Sequence, residues 1–494
     1  MKSKSRKAFA WLLFVIAGLW AVQCGSSDKE HMPITTSSSE AEAAFRAGRE
    51  LFNNAHLHDA WRHFQRAAKS DTNFALAFLY LANSDPSARG FFENLQLAKN
   101  HSGHVSQGEQ LLIESSLAAA EGNPGLQREL LGKLVELYPK DEFALLFQAT
   151  AYFVQQVYDS ATLVCERIVQ LTPSYASPYN MLGYSYRALG NLDAAARAFQ
   201  EYIRLIPEDP NPYDSYAELL TRMGHFEEAI QQYRLALKQD PTFGASRVGI
   251  SANLIFLGRY DEARRELVLL RDSAVNTAHK RAALIGMVVS YADEGSLPEA
   301  LNQLEVLYEL DASIPDPPSM SGDLRSIAFV LARLGRFEEA ESRLVRARDV
   351  IENSDVFDRV KRDSRTDQIM WLAALRLEQG KLGEAQTLAE QYQAEISSTA
   401  NPGRLRYAHL IRGRVALSQG DYNLAVTELE QADQQQAWTL FHLAKAYEDK
   451  GDLPKAGELY KQAAQSYELN SMYYAFIRRQ AAGKAEELRQ KVTP

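Results

Sequence analysis

Ten histidines and two cysteines are the side chains in this 494-residue sequence best suited to metal binding or nucleophilic chemistry. His56, His58 and His63 crowd one short stretch, and His101 and His104 another. A metal site would need such groups to converge on one point, with partners fixing each ring. Both groups instead lie around turn-forming residues, which reads as exposed loop histidines and no metal. Glu227-Glu228, Asp261-Glu262 and Glu338-Glu339 are paired carboxylates of the kind used in acid–base catalysis. Each pair opens a segment with helical apolar spacing, where the helix dipole favours negative charge, so helix capping accounts for them. Cys165 fills a slot that Phe199 and Tyr233 occupy at the next two 34-residue steps. That reads as a buried apolar filler, neither a nucleophile nor a disulfide partner for Cys24.

No phosphate-cradling glycine loop, GxSxG elbow, HExxH or CxxC pair occurs. The expectation is a protein that is not an enzyme, with no cofactor, no metal and no small-molecule substrate. Composition supports a folded body, with 46% hydrophobic and 24% charged residues. The formal net charge is −9, and the basic cluster Lys2, Lys4, Arg6 and Lys7 lies at the extreme amino terminus, so the body is more acidic still. Such a surface repels phosphate backbones, which excludes general nucleic-acid binding. Two cysteines cannot build a disulfide framework.

Ala8–Val22 is a run of fifteen uncharged residues after that basic cluster, the layout of a secretory signal. As a helix it would rise only about 22 Å, short of a hydrocarbon core of about 30 Å. Cys24 follows at once, then Gly25, Ser26 and Ser27. The segment resembles a bacterial lipoprotein signal, which implies cleavage before Cys24 and lipidation of Cys24. Ala21 and Gln23 stand where such signals usually carry Leu and a small residue; the alternative is an uncleaved signal anchor. Either way the body crosses the membrane, and Ser- and Thr-rich residues 24–40 read as a flexible tether.

From Ala41 onward, Gly and Pro punctuate segments with helical spacing. One pattern recurs: GNLDAA, GHFEEA, GRYDEA, GSLPEA, GRFEEA, GKLGEA, GDYNLA and GDLPKA. Their last alanines are Ala195, Ala229, Ala263, Ala300, Ala340, Ala385, Ala425 and Ala456; the first three are 34 residues apart, and Ala161 of QVYDSA extends the step upstream. In the best copy Tyr179, Leu182, Gly183 and Tyr186 form one stripe, Gly190 makes the turn, and Ala195 and Phe199 lie on a second helix ended by Pro207. Gly183 and Ala195 allow the two helices close approach.

These residues resemble the tetratricopeptide repeat, which implies an all-α fold: a right-handed α-solenoid of stacked helix-turn-helix units. The resemblance covers about 41–470 and gives an amino-terminal repeat region with an insertion over 41–139, a regular array over 140–277, irregular repeats over 278–470 and a capping helix over 471–494, after a signal at 1–23. Residues 84–104 read as the insertion. Beyond Ala263 the alanine spacing loosens to 37, 40, 45, 40 and 31 residues, so helices or loops there must lengthen.

Such repeats bind partners on the surface lined by the first helix of each pair. Carrying that pattern over gives a partner-binding groove of Ser177, Asn180, Tyr184 and Arg187, then Asn211, Asp214 and Glu218, then Val248 and Ile255, then Ile285 and Val289. It runs from polar to apolar, which suits a peptide with one polar and one apolar end, unless the apolar part is covered by the chain itself. The functional expectation is a lipid-anchored scaffold that binds proteins or peptides in the bacterial cell envelope, facing the periplasm or exterior. A sensory or regulatory repeat module acting with a separate kinase or transcription regulator is the alternative.

Overall fold

The computed structural model describes residues 30–54, 56–314, 316–397 and 402–492. The segment predicted as a signal, 1–23, and Cys24 lie outside them. The described residues form twenty-five α-helices, one short 3-10 turn and no strand. No helix among them is long and apolar enough to cross a membrane.

Two compact units emerge, one from the described residues of Met1–Glu50, Asp59–Asn83 and Asn94–Ser185, the other from Leu51–His58, Ser84–Glu93 and the described residues of Tyr186–Pro494. Helices α1 (Ser39–Asn53) to α4 (Ala88–His101) precede the pairs α5 (Gln107–Ala120) with α6 (Pro124–Leu137) and α7 (Glu142–Val154) with α8 (Tyr158–Leu171). Next come α9 (Ser177–Ala188), α10 (Leu192–Leu205), α11 (Pro210–Arg222), α12 (Phe226–Gln239), α13 (Gly244–Phe256) and α14 (Tyr260–Asp272). The remaining pairs are α15 (Thr277–Glu294) with α16 (Leu297–Ser313), α17 (Pro317–Arg333) with α18 (Phe337–Glu352), α19 (Asp358–Glu378) with α20 (Leu382–Ser397), α21 (Pro402–Gln419) with α22 (Tyr422–Gln431), and α23 (Ala437–Lys450) with α24 (Leu453–Ala464). A single long helix, α25 (Met472–Val492), closes the chain.

The recurring motif is the hinge of each pair. All eight of its glycines have positive φ, between 73° and 98°. Gly has no Cβ to collide with the carbonyl in that conformation, so it reverses the chain between helices. In the ninth motif Gln156 takes this place at φ 61°, with a side chain that resists it. All nine motif alanines, from Ala161 to Ala456, are fully buried. They sit where the second helix meets its neighbours, and other contacts are equally tight: a Cβ added at Gly249 would lie 2.2 Å from the Tyr233 ring. The wider spacing after Ala263 resides in helix length: α15 to α21 have 16–21 residues, against 13–14 in α10 to α14.

Two stretches differ from their sequence reading. Within the proposed insertion, Ala88–His101 is helical, and His101, expected as a loop residue, ends that helix with its ring 5.4 Å from that of Phe78. Residues 32–37, expected as tether, are fixed onto the first unit. The Met32 N–H donates to Asp141 (2.7 Å), and the Thr35 N–H and hydroxyl donate to Glu109 (2.7 and 2.5 Å). Thr36 and Ser37 donate to Asp71. Glu109 is fully buried and also completes a capping box with Ser106, so its carboxylate is held by several N–H and O–H donors at once. Those acceptors lie 34 to 109 residues downstream, beyond the reach of local pattern reading.

A candidate partner-binding groove

The groove positions on first helices fall in both units, and each unit has its own geometry. In the first unit, on α9, Ser177 is buried, while Asn180 and Tyr184 are partly buried. The Asn180 side-chain carbonyl is shielded from solvent and meets no hydrogen-bond partner among the described residues.

In the second unit, polar rungs tie the groove faces of successive first helices together. Arg187 pairs with Glu218 at 3.2 Å. The Ser246 hydroxyl of α13 donates to Asp214 of α11 at 2.6 Å, and the Asn253 amide donates to Thr221 at 2.8 Å. The last two rungs each span 32 residues, close to one repeat, so the repeat period itself sets these partners face to face. Asp214 is buried, and that desolvation, with the Glu218 charge beside it, pushes its carboxyl up to about 7 against the help of Ser246. Asn211 is also buried, its amide donating to the Tyr202 hydroxyl at 2.9 Å. Asn211 and Asp214, expected to meet a partner, are therefore engaged inside the fold, while Arg187 and Glu218 remain partly exposed.

The apolar section is occupied by the chain's own carboxy-terminal helix. Ile255 and Val289 are only 2% and 5% exposed. With Ile285 they share one apolar cluster with Met472, Ala475 and Phe476 of α25. Val248 is partly buried. Ile255 and Val289 are thus closed to an outside ligand in this conformation. The helix is held by more than apolar contact: Arg478 grips buried Asp293 of α15 with two hydrogen bonds (2.7 and 2.6 Å), and the Tyr260 hydroxyl donates to the same carboxylate at 2.8 Å. Just before it, Tyr467 packs edge-on against Phe226 at 4.9 Å, and Arg222 donates to the Ser466 carbonyl. The sequence carried one signal for this: Met472, Tyr473, Ala475 and Phe476 make an apolar stripe too rich for a purely polar cover.

Beside that helix the second unit opens a cavity of about 1090 Å³, lined by residues of α16, α17, α19, α21, α23, α24 and α25. Its charged and aromatic residues include Arg333, Glu378, Arg414, Trp438 and His442, none singled out by the repeat pattern.

Among the decoys, Cys165 is fully buried, and burial pushes its thiol up to about 12, so no thiolate forms near neutral pH. His56 lies 2.9 Å from Asp209, an ion-pair geometry instead of a loop exposure. No group of three or more His, Cys, Asp or Glu among the described residues has metal-binding geometry.

The tetratricopeptide repeat family matches residues 180–243 and 412–471 in one form and 328–346 in another. The chain carries tetratricopeptide repeats. Over 353 residues it is 21% identical to the TPR repeat-containing protein YpiA of Bacillus subtilis, covering 70% of this chain and 75% of that protein. Over 258 residues it is 22% identical to a peroxisomal targeting signal receptor of Eremothecium gossypii, covering 49% of this chain and only 45% of the receptor. Among solved structures, yeast Tom70 matches over 91% of this chain and 96% of its own, at 14% identity and a TM-score of 0.40. A thermophilic tetratricopeptide protein of Thermus thermophilus matches 36% of this chain and 98% of its own, at 19% identity and a TM-score of 0.32.

Proposed function

We propose that this repeat protein is a membrane-anchored scaffold that binds proteins or peptides in the bacterial cell envelope, held there through a lipid on Cys24. The observation that carries partner binding is α25 itself. An amphipathic helix lies along first-helix faces and fills their apolar section, the helix-in-groove mode of peptide recognition satisfied within one chain. A surface shaped for a helix at one section, with polar rungs and an open cavity at others, suits capture of a further segment. The names of the similar proteins fit: one is a receptor for a targeting signal.

Anchoring rests on the basic start, the fifteen uncharged residues and Cys24. Acyl chains at about 0.8 kcal/mol per buried CH₂ would make attachment lasting, whereas an unmodified thiol contributes nothing. Residues 32–37 fixed onto the first unit would leave a short leash and keep the body near the membrane. Labelled fatty acid should enter the wild-type protein, and Cys24→Ala should leave the membrane fraction or persist as uncleaved precursor. No label, together with identical fractionation of the variant, would overturn the anchor.

A further inference from the structure

Within the second unit, the carboxy-terminal ends of α17, α19 and α21 bring two guanidinium groups to one carboxylate. Arg414 donates to Glu378 at 2.9 Å, and Arg333 approaches the same oxygen only to 3.6 Å. The Arg333 Nε is shielded from solvent and meets no hydrogen-bond partner among the described residues, and the same holds for His442 Nε2. Both guanidinium groups lie beside Trp438, at 5.2 and 5.7 Å from its ring, and Arg333 is 5.9 Å from Phe476. At the mouth the charges balance differently: Lys484 is held by Glu448 and Glu487. This part of the cavity lining therefore has two guanidinium groups to one carboxylate, shielded polar nitrogens without partners among the described residues, and aromatic walls.

We infer that this cavity binds a peptide segment through one of its carboxylates, seated against Arg333 and Arg414 with the neighbouring apolar side chain on Trp438 and Phe476. The reading rests on the peptide-binding function proposed above and names the partner's chemistry. A planar carboxylate matches the two-pronged edge of a guanidinium group, and the aromatic shelf already carries the arginines in place. Burial and the adjacent charges of Arg414, Arg333 and Lys445 hold His442 well below its ordinary range, so its ring is neutral and can donate one N–H without adding charge. A cavity of this size exceeds what an inorganic anion fills and accepts several peptide residues.

Full-length protein in detergent, titrated with two fluorescent octapeptide pools, tests this. Both pools are blocked at each end and random except for a fixed central Glu-Leu in one and Gln-Leu in the other. The Glu pool should bind about ten-fold more tightly, as a charge-assisted pair at a desolvated site implies. Arg333→Gln and Arg414→Gln should erase the preference, whereas Glu378→Gln, which removes the competing internal carboxylate, should enlarge it, a gain that a misfolded variant cannot give. Equal binding of the two pools overturns the carboxylate site and leaves the scaffold reading standing. Binding of neither pool overturns the site and counts against peptide capture as well. Binding of inorganic phosphate with no peptide preference overturns it in favour of a free-anion site.

Discussion

Arg478 and Asp293, 185 residues apart, meet as a two-pronged ion pair that pins the last helix of the chain to the first helix of a central repeat. The Asp293 carboxylate is almost wholly buried and also accepts from Tyr260. Removing one member of such a pair leaves an uncompensated buried charge, which costs about 3–5 kcal/mol. Arg478→Ala should therefore lower the urea midpoint and raise hydrogen exchange across 472–492, while Arg478→Met with Asp293→Leu should recover much of the loss. Unchanged exchange in that helix would show that the pair does not hold it.

Asp214 supplies a pH signature. Its carboxyl titrates near 7 in the folded chain against an ordinary 3.8, so folding raises its pKa. A raised value means the contribution to stability is full below about pH 4 and is lost as pH rises through 7. Asp214→Asn should match the wild type near pH 4 and exceed it by about 1–3 kcal/mol at pH 8, as followed by chemical denaturation. A variant that is less stable at pH 8 would contradict a desolvated carboxyl.

Gln156 occupies the hinge that glycine fills in the eight other motifs, at φ 61°. Gln156→Gly should raise stability by about 0.5–1 kcal/mol, the left-handed strain outweighing the extra freedom of the unfolded chain. The reverse holds at Gly249, where a methyl group would meet the buried Tyr233 ring; Gly249→Ala should cost about 1–3 kcal/mol. Thermal melts of the two variants should move in opposite directions.

Glu109 holds the segment before α1 through Thr35. Glu109→Ala should expose residues 32–37 to limited proteolysis, with cleavage there at protease levels that leave the wild-type segment intact. An unchanged digestion pattern would mean that Asp141 and Asp71 suffice.

The helical repeat was legible because its signals are local: a glycine that must reverse the chain and an alanine five residues later that must fit between helices. Gly190 and Ala195 lie close enough in sequence for one motif to hold both. The seat of α25 was legible only in part: its apolar stripe marks a face that must be covered, but Arg478 gives no hint that Asp293 awaits it. For the same reason Asn211 and Asp214 looked like groove contacts; their buried partners Tyr202 and Ser246 are set by three-dimensional packing that repeat position alone does not fix. Arg333 and Arg414 sit on helices lengthened past the regular period, where no carried-over pattern marks them, and His442 on a helix of regular length joins them only through three-dimensional packing.

Site-specific photocrosslinking in intact cells tests partner capture most directly. A benzophenone side chain placed at Tyr184 on α9 or at Ser418 in the cavity wall should yield discrete adducts with another protein, and one at Leu163, 68% exposed on a second helix, should not. Adducts of equal yield at all three positions, or none at Tyr184 and Ser418, would contradict a scaffold that binds partners on its first-helix face.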